Sequence, residues 1–251
     1  MRLYSLTLAL VFGGFPLTLA SARGEVNVYS GEVTAEEVQV KRTNYPVRLG
    51  ELEEFRKKQA AAYAAAGGAQ KAAVIRESRA ELEKALRQDV FPAWFGTGWD
   101  FNGTTTTPGA GKIACGYFVS TCLTHVGFKV SRIKLAQQAS QRIIETFMAK
   151  SERKILGDAK PMAVVRAYLK GKGDGIYLVG LDQHVGFVSV VGEDMAFIHS
   201  SYYNPESCVK AEKIETKNPL SDSKYRVIGK LFADDMVLGW LEERNYPVAG
   251  Q

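Results

Sequence analysis

Three apolar runs follow one another between residues 175 and 201, and only a few residues separate each run from the next. They are GIYLVGL at 175–181, HVGFVSVV at 184–191 and MAFIHSS at 195–201. Connections this short join antiparallel strands, because parallel strands need a long crossover. Two later runs, CVKAEKI and YRVIGKLF, predict further strands. Helical patterns occupy the chain before these runs, so the sequence predicts an α+β domain with an antiparallel sheet.

The helical part begins with residues 48–90, which are rich in the strong helix formers Ala, Glu, Lys, Arg and Leu. Gly67 and Gly68 divide this stretch, which predicts an N-terminal helical hairpin of about 50–66 and 69–89 packed on the rest of the domain. A regulatory lid or a partner-binding arm is the alternative for this hairpin. Further helices are expected at 115–126, at 132–149, from Pro161 onward and in DDMVLGWLEE near the end of the chain.

Residues 1–22 have the pattern of a secretory signal peptide. Arg2 precedes a short apolar stretch that Pro16 interrupts, and Ala20-Ser21-Ala22 is a small-residue cleavage site. The pattern predicts cleavage after Ala22 and a secreted or periplasmic protein without stable membrane insertion. A membrane anchor is the alternative, although a spanning helix needs about 20 apolar residues.

The net charge indicates which partners the chain favours, and the number of cysteines limits its possible disulfides. The net charge of +5 is a mild excess that favours adhesion to an anionic polymer such as a cell wall. The sequence contains no run of Lys and Arg interleaved with aromatics, so nucleic-acid binding is not predicted. Three cysteines are an odd number for an exported chain. Either Cys122 pairs with Cys208 and Cys115 stays free, or no cysteine is paired and Cys122 is a core residue.

Cys115 is the candidate nucleophile because it opens a helix with an apolar periodic face. A helix N-terminus offers unpaired N–H groups and a positive dipole end, which favour the thiolate, and an adjacent imidazolium is expected to lower the thiol pKa further. Gly116 is expected to let substrate approach the backbone, and the Cys115 N–H to serve as an oxyanion donor. The alternative is a buried structural cysteine, which mid-helix Cys122 fits better.

His184 opens a strand and is the candidate base. If the strands at 184–191 and 195–201 form a hairpin with a two- or four-residue loop, His184 shares one face with His199 and Ser201. His199 is then placed to orient His184, the third role of a catalytic triad. Asp182 is the rival orienting group. His125 lies late in the helix, away from Cys115, and is expected to be a surface or capping residue.

These residues carry a resemblance to a known family. ACGYFVSTCLTHVGF, followed by LDQHVGFVSVVGEDMAFIHSS, resembles the motifs of NlpC-type peptidases, papain-superfamily cysteine enzymes of bacterial cell-wall turnover. The resemblance covers about residues 94–202. It implies a papain-like fold with the cysteine helix packed on the sheet, and amide hydrolysis without a cofactor. Cys115 would attack, His184 would act as base and then acid, and His199 would orient it.

The same resemblance implies a peptidoglycan stem peptide or a related isopeptide as the substrate. The expected substrate-binding residues are Trp94, Trp99, Asp100, Gly116, Gln138 and Asp182. The chain then divides into a signal peptide at 1–22, a helical region at 23–90, a catalytic core at 91–205 and closing strands and helix at 206–251.

Two other functions stay open at this point. The aromatic segment 91–111, expected to be a loop, either plugs an edge of the core or walls a ligand groove, and such a groove also suits a non-catalytic domain that binds cell wall or a partner protein. Cys115, His184 and His199 are also three zinc-compatible ligands, which with a water would make a catalytic zinc site.

Overall fold

The computed structural model describes residues 33–250. The predicted signal peptide lies outside the described residues. Within the described part of the chain, no helix is both long enough and apolar enough to cross a membrane.

The N-terminal helical hairpin consists of α1 (Ala35–Ala65) and α2 (Gly68–Ala85). Thr34 begins α1 with a capping box, in which its hydroxyl accepts from the Glu37 N–H and the Glu37 carboxylate accepts from the Thr34 N–H. The first helix therefore starts at Ala35 rather than near residue 50. A π-helical turn at Leu86–Val90 continues α2 into α3 (Phe91–Trp94). This α3 turn is a helix where a loop was expected.

The remaining helices are α4 (Cys115–His125), α5 (Arg132–Ala136), α6 (Ser140–Glu145), α7 (Met162–Lys172), α8 (Pro219–Asp222) and α9 (Asp234–Leu241). The strands are β1 (Lys129–Val130), β2 (Arg153–Leu156), β3 (Gly175–Leu181), β4 (Val185–Val191), β5 (Asp194–Ser200), β6 (Val209–Lys213), β7 (Arg226–Lys230) and β8 (Asn245–Tyr246). A single 3₁₀ turn at Lys150–Glu152 precedes β2.

Six strands form one antiparallel sheet in the order β2-β7-β3-β4-β5-β6. β1 and β8 form a separate parallel pair. Helices precede and flank the sheet, so the predicted α+β class with an antiparallel sheet is confirmed.

The sheet lies between two apolar clusters, because successive side chains of a strand point to opposite faces. On β3, Ile176 and Leu178 belong to the larger cluster, which also includes the buried face of α4 and the N-terminal helices. Tyr177 and Val179 belong to the smaller cluster, on the α7 side. The sheet is therefore covered on both faces, and the start of α4 comes close to the start of β4.

The helix expected at 132–149 is divided into α5 and α6. The break at residues 137–139 puts Gln138 and Ala139 on the wall of a cavity at the start of α4. The Ser140 hydroxyl donates to the Leu181 carbonyl at 2.7 Å, which fixes α6 against the end of β3.

Candidate active site

Cys115 is the first residue of α4, as the sequence predicts. Ala114 precedes it in an extended conformation (φ −79°, ψ 160°), so the helix starts at the thiol-bearing residue. Three N–H groups favour the thiolate of Cys115: its own, that of Gly116 and that of Val185. Burial opposes them and is the larger effect, so the pKa of the Cys115 thiol is raised. The expected lowering of this pKa is therefore wrong for the resting site, where the thiol is protonated at neutral pH.

Gly116 is a glycine for a packing reason. It is buried, and a Cβ at this position would collide with the carbonyl oxygen of Ala136 at the end of α5. Because that neighbour is backbone, it cannot rotate away. The glycine thus allows a close approach of α5 to the first turn of α4. The residue also lines the cavity beside Cys115, and its contact with substrate stays a prediction.

The hairpin of β4 and β5 has the predicted parity. A two-residue turn connects the strands, and Phe187 pairs with Ile198 while Val191 pairs with Asp194. This register brings His184 and His199 to the same face, and His184 Nε2 lies 2.8 Å from His199 Nδ1.

Asp182 forms no hydrogen bond with either ring nitrogen of His184, whose Nε2 is bonded to His199 and whose Nδ1 has no partner within residues 33–250. Its carboxylate accepts from the Ser223 hydroxyl at 2.8 Å and from the Lys224 N–H at 2.8 Å. Asp182 therefore holds the loop before β7, and its prediction as the rival orienting group is wrong. Its side chain does line the cavity that contains Cys115.

His184 keeps one ring nitrogen free for chemistry. The residue is 3% exposed, and its Nδ1 is buried with no hydrogen-bond partner in the part of the chain that the structure describes. An unpaired buried polar atom is costly unless a ligand or a reaction uses it. Burial, reinforced by the neighbouring His199, lowers the pKa of His184 well below its usual value, so the imidazole is neutral at neutral pH.

Cys115 and His184 line a common cavity of about 260 Å³. Its other walls come from the α5–α6 connection, from α6 and from the β3–β4 turn, and they include Gln138 and Asp182. Of the predicted substrate-binding residues, Gln138, Gly116 and Asp182 are thus beside the thiol.

His199 connects His184 to a further side chain, that of Glu212. It is fully buried, it stacks on Phe197 with ring centroids 4.2 Å apart, and its Nε2 lies 2.8 Å from Glu212 Oε2 on β6. Burial lowers the pKa of His199 to about 3, and nearby Lys210 lowers it as well. Burial raises the pKa of Glu212, which Lys210 partly offsets.

Glu212 was missed from the sequence. In CVKAEKI, polar side chains alternate with apolar ones, and this pattern correctly predicts which side chains share one face of the strand. That this face meets His199 depends on the β5–β6 pairing, in which Glu212 lies opposite Phe197. The long connection at 201–208 does not specify that register.

Tyr202 is a second residue that was missed. Its ring packs edge-on against His184, with 5.3 Å between centroids, and at a tilt against Trp99, with 5.9 Å between centroids. Trp99 is thereby connected to the site through Tyr202, whereas the Asp100 carboxylate pairs with Lys112 at 3.7 Å and does not line the cavity of Cys115. Tyr202 and His184 together line a neighbouring cavity of about 250 Å³.

Trp94 is a core residue and not part of a groove. It is fully buried, and its Nε1–H donates to the Tyr45 hydroxyl at 3.1 Å. Its ring packs edge-on against Phe118 of α4. The prediction of Trp94 as a substrate-binding residue is wrong, and of the two interpretations of the aromatic segment the core plug describes Trp94.

The remaining thiols and the third histidine do not line the cavity of Cys115. Cys122 is buried in the core, Cys208 is half-buried, and all three cysteines are free thiols. His125 is partly buried rather than on the surface, and its Nδ1 forms a 2.9 Å hydrogen bond with the Tyr45 hydroxyl. This bond connects the end of α4 to α1, because Tyr45 belongs to α1. The same hydroxyl also accepts from the Nε1–H of Trp94.

The geometry does not favour the zinc interpretation. Among residues 33–250, no group of three or more His, Cys, Asp or Glu side chains is arranged to hold a metal ion. His199, one of the three proposed ligands, has both ring nitrogens in hydrogen bonds, Nδ1 with His184 and Nε2 with Glu212.

Comparison of the chain with models of protein families, with curated proteins and with solved structures finds no match. Function is therefore inferred from the geometry of the site and from the motifs that the sequence carries.

Proposed function

We propose that this protein is a cysteine hydrolase that cleaves an amide bond in a peptide. One observation carries the proposal. The buried imidazole of His184 has a hydrogen-bonded Nε2 and an unpartnered Nδ1, and it lines the cavity that holds a thiol at a helix N-terminus. A nucleophile, a base and a group that orients the base are the three parts of nucleophilic amide hydrolysis.

The pKa directions give the protonation states from which the reaction starts. With the thiol pKa raised and the His184 pKa lowered, the resting pair is a neutral thiol and a neutral imidazole. His184 Nδ1 takes the thiol proton as Cys115 Sγ attacks the carbonyl carbon of the substrate. Two of the three N–H groups around the sulfur, those of Cys115 and Gly116, lie at the helix N-terminus, where the developing oxyanion is stabilised.

Collapse of the tetrahedral intermediate breaks the C–N bond. The His184 imidazolium returns its proton to the departing amine, and a thioester remains on Cys115. His184 then takes a proton from water, whose oxygen attacks the thioester carbonyl and releases the carboxylic acid and the thiol. His199 holds His184 in position throughout, because its Nδ1 occupies the other ring nitrogen.

For the substrate, we propose a peptidoglycan stem peptide or a related isopeptide. The proposal rests on the resemblance of the Cys115 and His184 segments to NlpC-type motifs, and it includes a papain-like arrangement. The observed packing of α4 against β4 and β5 of an antiparallel sheet is compatible with that arrangement. The polar side chains of Gln138 and Asp182 in the cavity suit the amide groups of a peptide. Export through the predicted signal peptide would bring the enzyme to this polymer.

The test is digestion of purified peptidoglycan, followed by mass spectrometry of the soluble fragments. We expect the wild-type protein to release fragments with one newly exposed amine and one newly exposed carboxylate per cut. Cys115→Ala should release none, and Cys122→Ala, which also removes a thiol but from the core, should retain the activity per folded molecule. If the wild-type protein binds the polymer without cutting it, the alternative of a non-catalytic binding domain is correct.

A further inference from the structure

A carboxylate and two imidazoles lie in series across the ends of β4, β5 and β6. Glu212 Oε2 is 2.8 Å from His199 Nε2, and His199 Nδ1 is 2.8 Å from His184 Nε2. His199 is fully buried and His184 nearly so, so the contact between the two imidazoles is shielded from solvent. The series ends at His184 Nδ1, which has no partner in the described part of the chain.

The ionisation of Glu212 fixes the positions of the protons in this series. A carboxylate only accepts, so ionised Glu212 requires the proton of His199 on Nε2. His199 Nδ1 is then a lone pair and accepts from the Nε2–H of His184. A neutral imidazole carries one proton, so His184 Nδ1 is left as a lone pair, the form that a general base needs.

A protonated Glu212 allows the opposite arrangement. Its hydroxyl can donate to His199 Nε2, which places the proton of His199 on Nδ1 and makes that nitrogen a donor to His184 Nε2. His184 then carries its proton on Nδ1 and cannot accept one from a thiol there. The two arrangements use the same heavy-atom distances but give opposite chemistry.

Two features of the surroundings, exposure to solvent and the nearby Lys210, favour the ionised form of Glu212, whereas burial disfavours it. Its side chain is 23% exposed and lines an open cavity of about 670 Å³, so the carboxylate is in reach of water. Lys210, two residues earlier on the same face of β6, lowers the pKa of Glu212, although burial raises that pKa by more. Glu206, which pairs with Lys210 at 3.9 Å, lines the same cavity, and the other titratable groups of that cavity are Lys217, Asp222, Tyr202 and Tyr203. The half-buried Cys208 thiol lies two residues before Lys210. The groups that face His184 are His199, Tyr202 and the Cys115 thiol.

We propose that Glu212 is a positioning residue that sets the tautomers of His199 and His184 and thereby leaves His184 Nδ1 free to accept the Cys115 proton. The inference rests on the proposed hydrolase function for its catalytic consequence, but the tautomers themselves are a property of the folded protein. During reaction, the imidazolium of His184 donates through His199 toward a negative charge, which stabilises it.

The experiment is nitrogen-15 NMR of the histidine rings at neutral pH, combined with steady-state kinetics. In the wild-type protein, we expect His184 and His199 both to carry their proton on Nε2. A wild-type spectrum with the His184 proton on Nδ1 overturns the proposal, and this measurement requires neither substrate nor any variant.

Glu212→Gln provides the kinetic comparison, since the amide keeps the shape but can donate as well as accept. A triad histidine in the wrong tautomer costs about 10⁴ in kcat. Glu212 lies one imidazole further out and its amide oxygen can still accept, so we expect a smaller loss of kcat, about 10- to 100-fold, with KM little changed. Glu206→Gln is the matched control, because it removes a carboxylate from the same cavity without touching either histidine, and it should retain full kcat.

The outcomes separate this inference from the proposed function. If the wild-type protein has the expected tautomers but hydrolyses nothing, the hydrolase function fails and the role of Glu212 in setting the tautomers stands. If the wild-type protein hydrolyses substrate while Glu212→Gln keeps both the kcat and the tautomers of the wild type, the inference fails and the function stands.

Discussion

Gly186 provides a sensitive test of the geometry at the site. It is the second residue of β4 and pairs with Val179 of β3, and a Cβ added to it would lie 2.7 Å from Phe197 Cε2, 2.9 Å from His199 Cβ and 2.9 Å from the Ile198 carbonyl oxygen. Carbon atoms in contact prefer about 3.5–4.0 Å, so each of these neighbours would have to move by roughly 1 Å. Two of the three atoms belong to the backbone or to a Cβ, which do not move without β5.

The expected size of the effect follows from this displacement. Overpacking a core by one methyl group costs about 1–3 kcal/mol of the free energy of unfolding. For a domain of this size, each kcal/mol lowers the melting temperature by about 2–4 °C. A misplacement of about 1 Å at a catalytic group costs about 10²-fold in rate. Gly186→Ala should therefore lower stability. It should also lower kcat, because one of the three displaced atoms is the Cβ of His199.

Urea denaturation and peptide hydrolysis measure the two effects on the same samples. Gly50→Ala is the matched control, since the same methyl group at an exposed position of α1 meets no atom within 4 Å. It should raise stability by about 0.5–1 kcal/mol, because alanine restricts the unfolded chain, and leave kcat unchanged. If Gly186→Ala is as stable and as active as the wild type, the packing of β5 against β4 at His199 is not as described.

Two further predictions concern Trp94 and His125, which lie outside the cavity of Cys115. Trp94→Ala should lower the free energy of unfolding by about 3–5 kcal/mol in urea denaturation, since the indole is fully buried. A loss below about 1 kcal/mol would show that Trp94 is not buried in the core. Burial lowers the pKa of His125 to about 4, so below about pH 6.5 the unfolded chain binds a proton that the folded chain does not. The free energy of unfolding should therefore fall as the pH drops from about 6.5 to 4, by about 3 kcal/mol from this residue. His125→Gln should remove that part of the pH dependence, and equal slopes in the variant and the wild type would contradict it.

The parts of the fold that depend on local patterns were predictable. The alternation at 184–191 and 195–201, with a short turn between, predicted the parity that puts His184 and His199 on one face. Likewise, the apolar period after Cys115 predicted the start of α4 at that residue. Each prediction uses only residues that are neighbours in the chain.

The parts that depend on distant contacts were not predictable. Trp94 looked like a groove residue because the segment after it is rich in glycine and threonine, but its partner Tyr45 lies in α1. Glu212 meets His199 through a register that no short turn specifies. The pKa of Cys115 is raised by burial, which is a property of the packed domain, while the helix N-terminus that favours the thiolate is visible in the sequence.

The central claim is that Cys115 is acylated during turnover, and intact-protein mass spectrometry after acid quenching tests it most directly. With a stem-peptide substrate, we predict a mass increase equal to the acyl part of the substrate, and peptide mapping of the quenched protein should place it on the peptide that contains Cys115. The adduct should be absent from Cys115→Ala and present in Cys122→Ala. Hydrolysis that continues in Cys115→Ala, or an acyl adduct on another residue, would contradict the account.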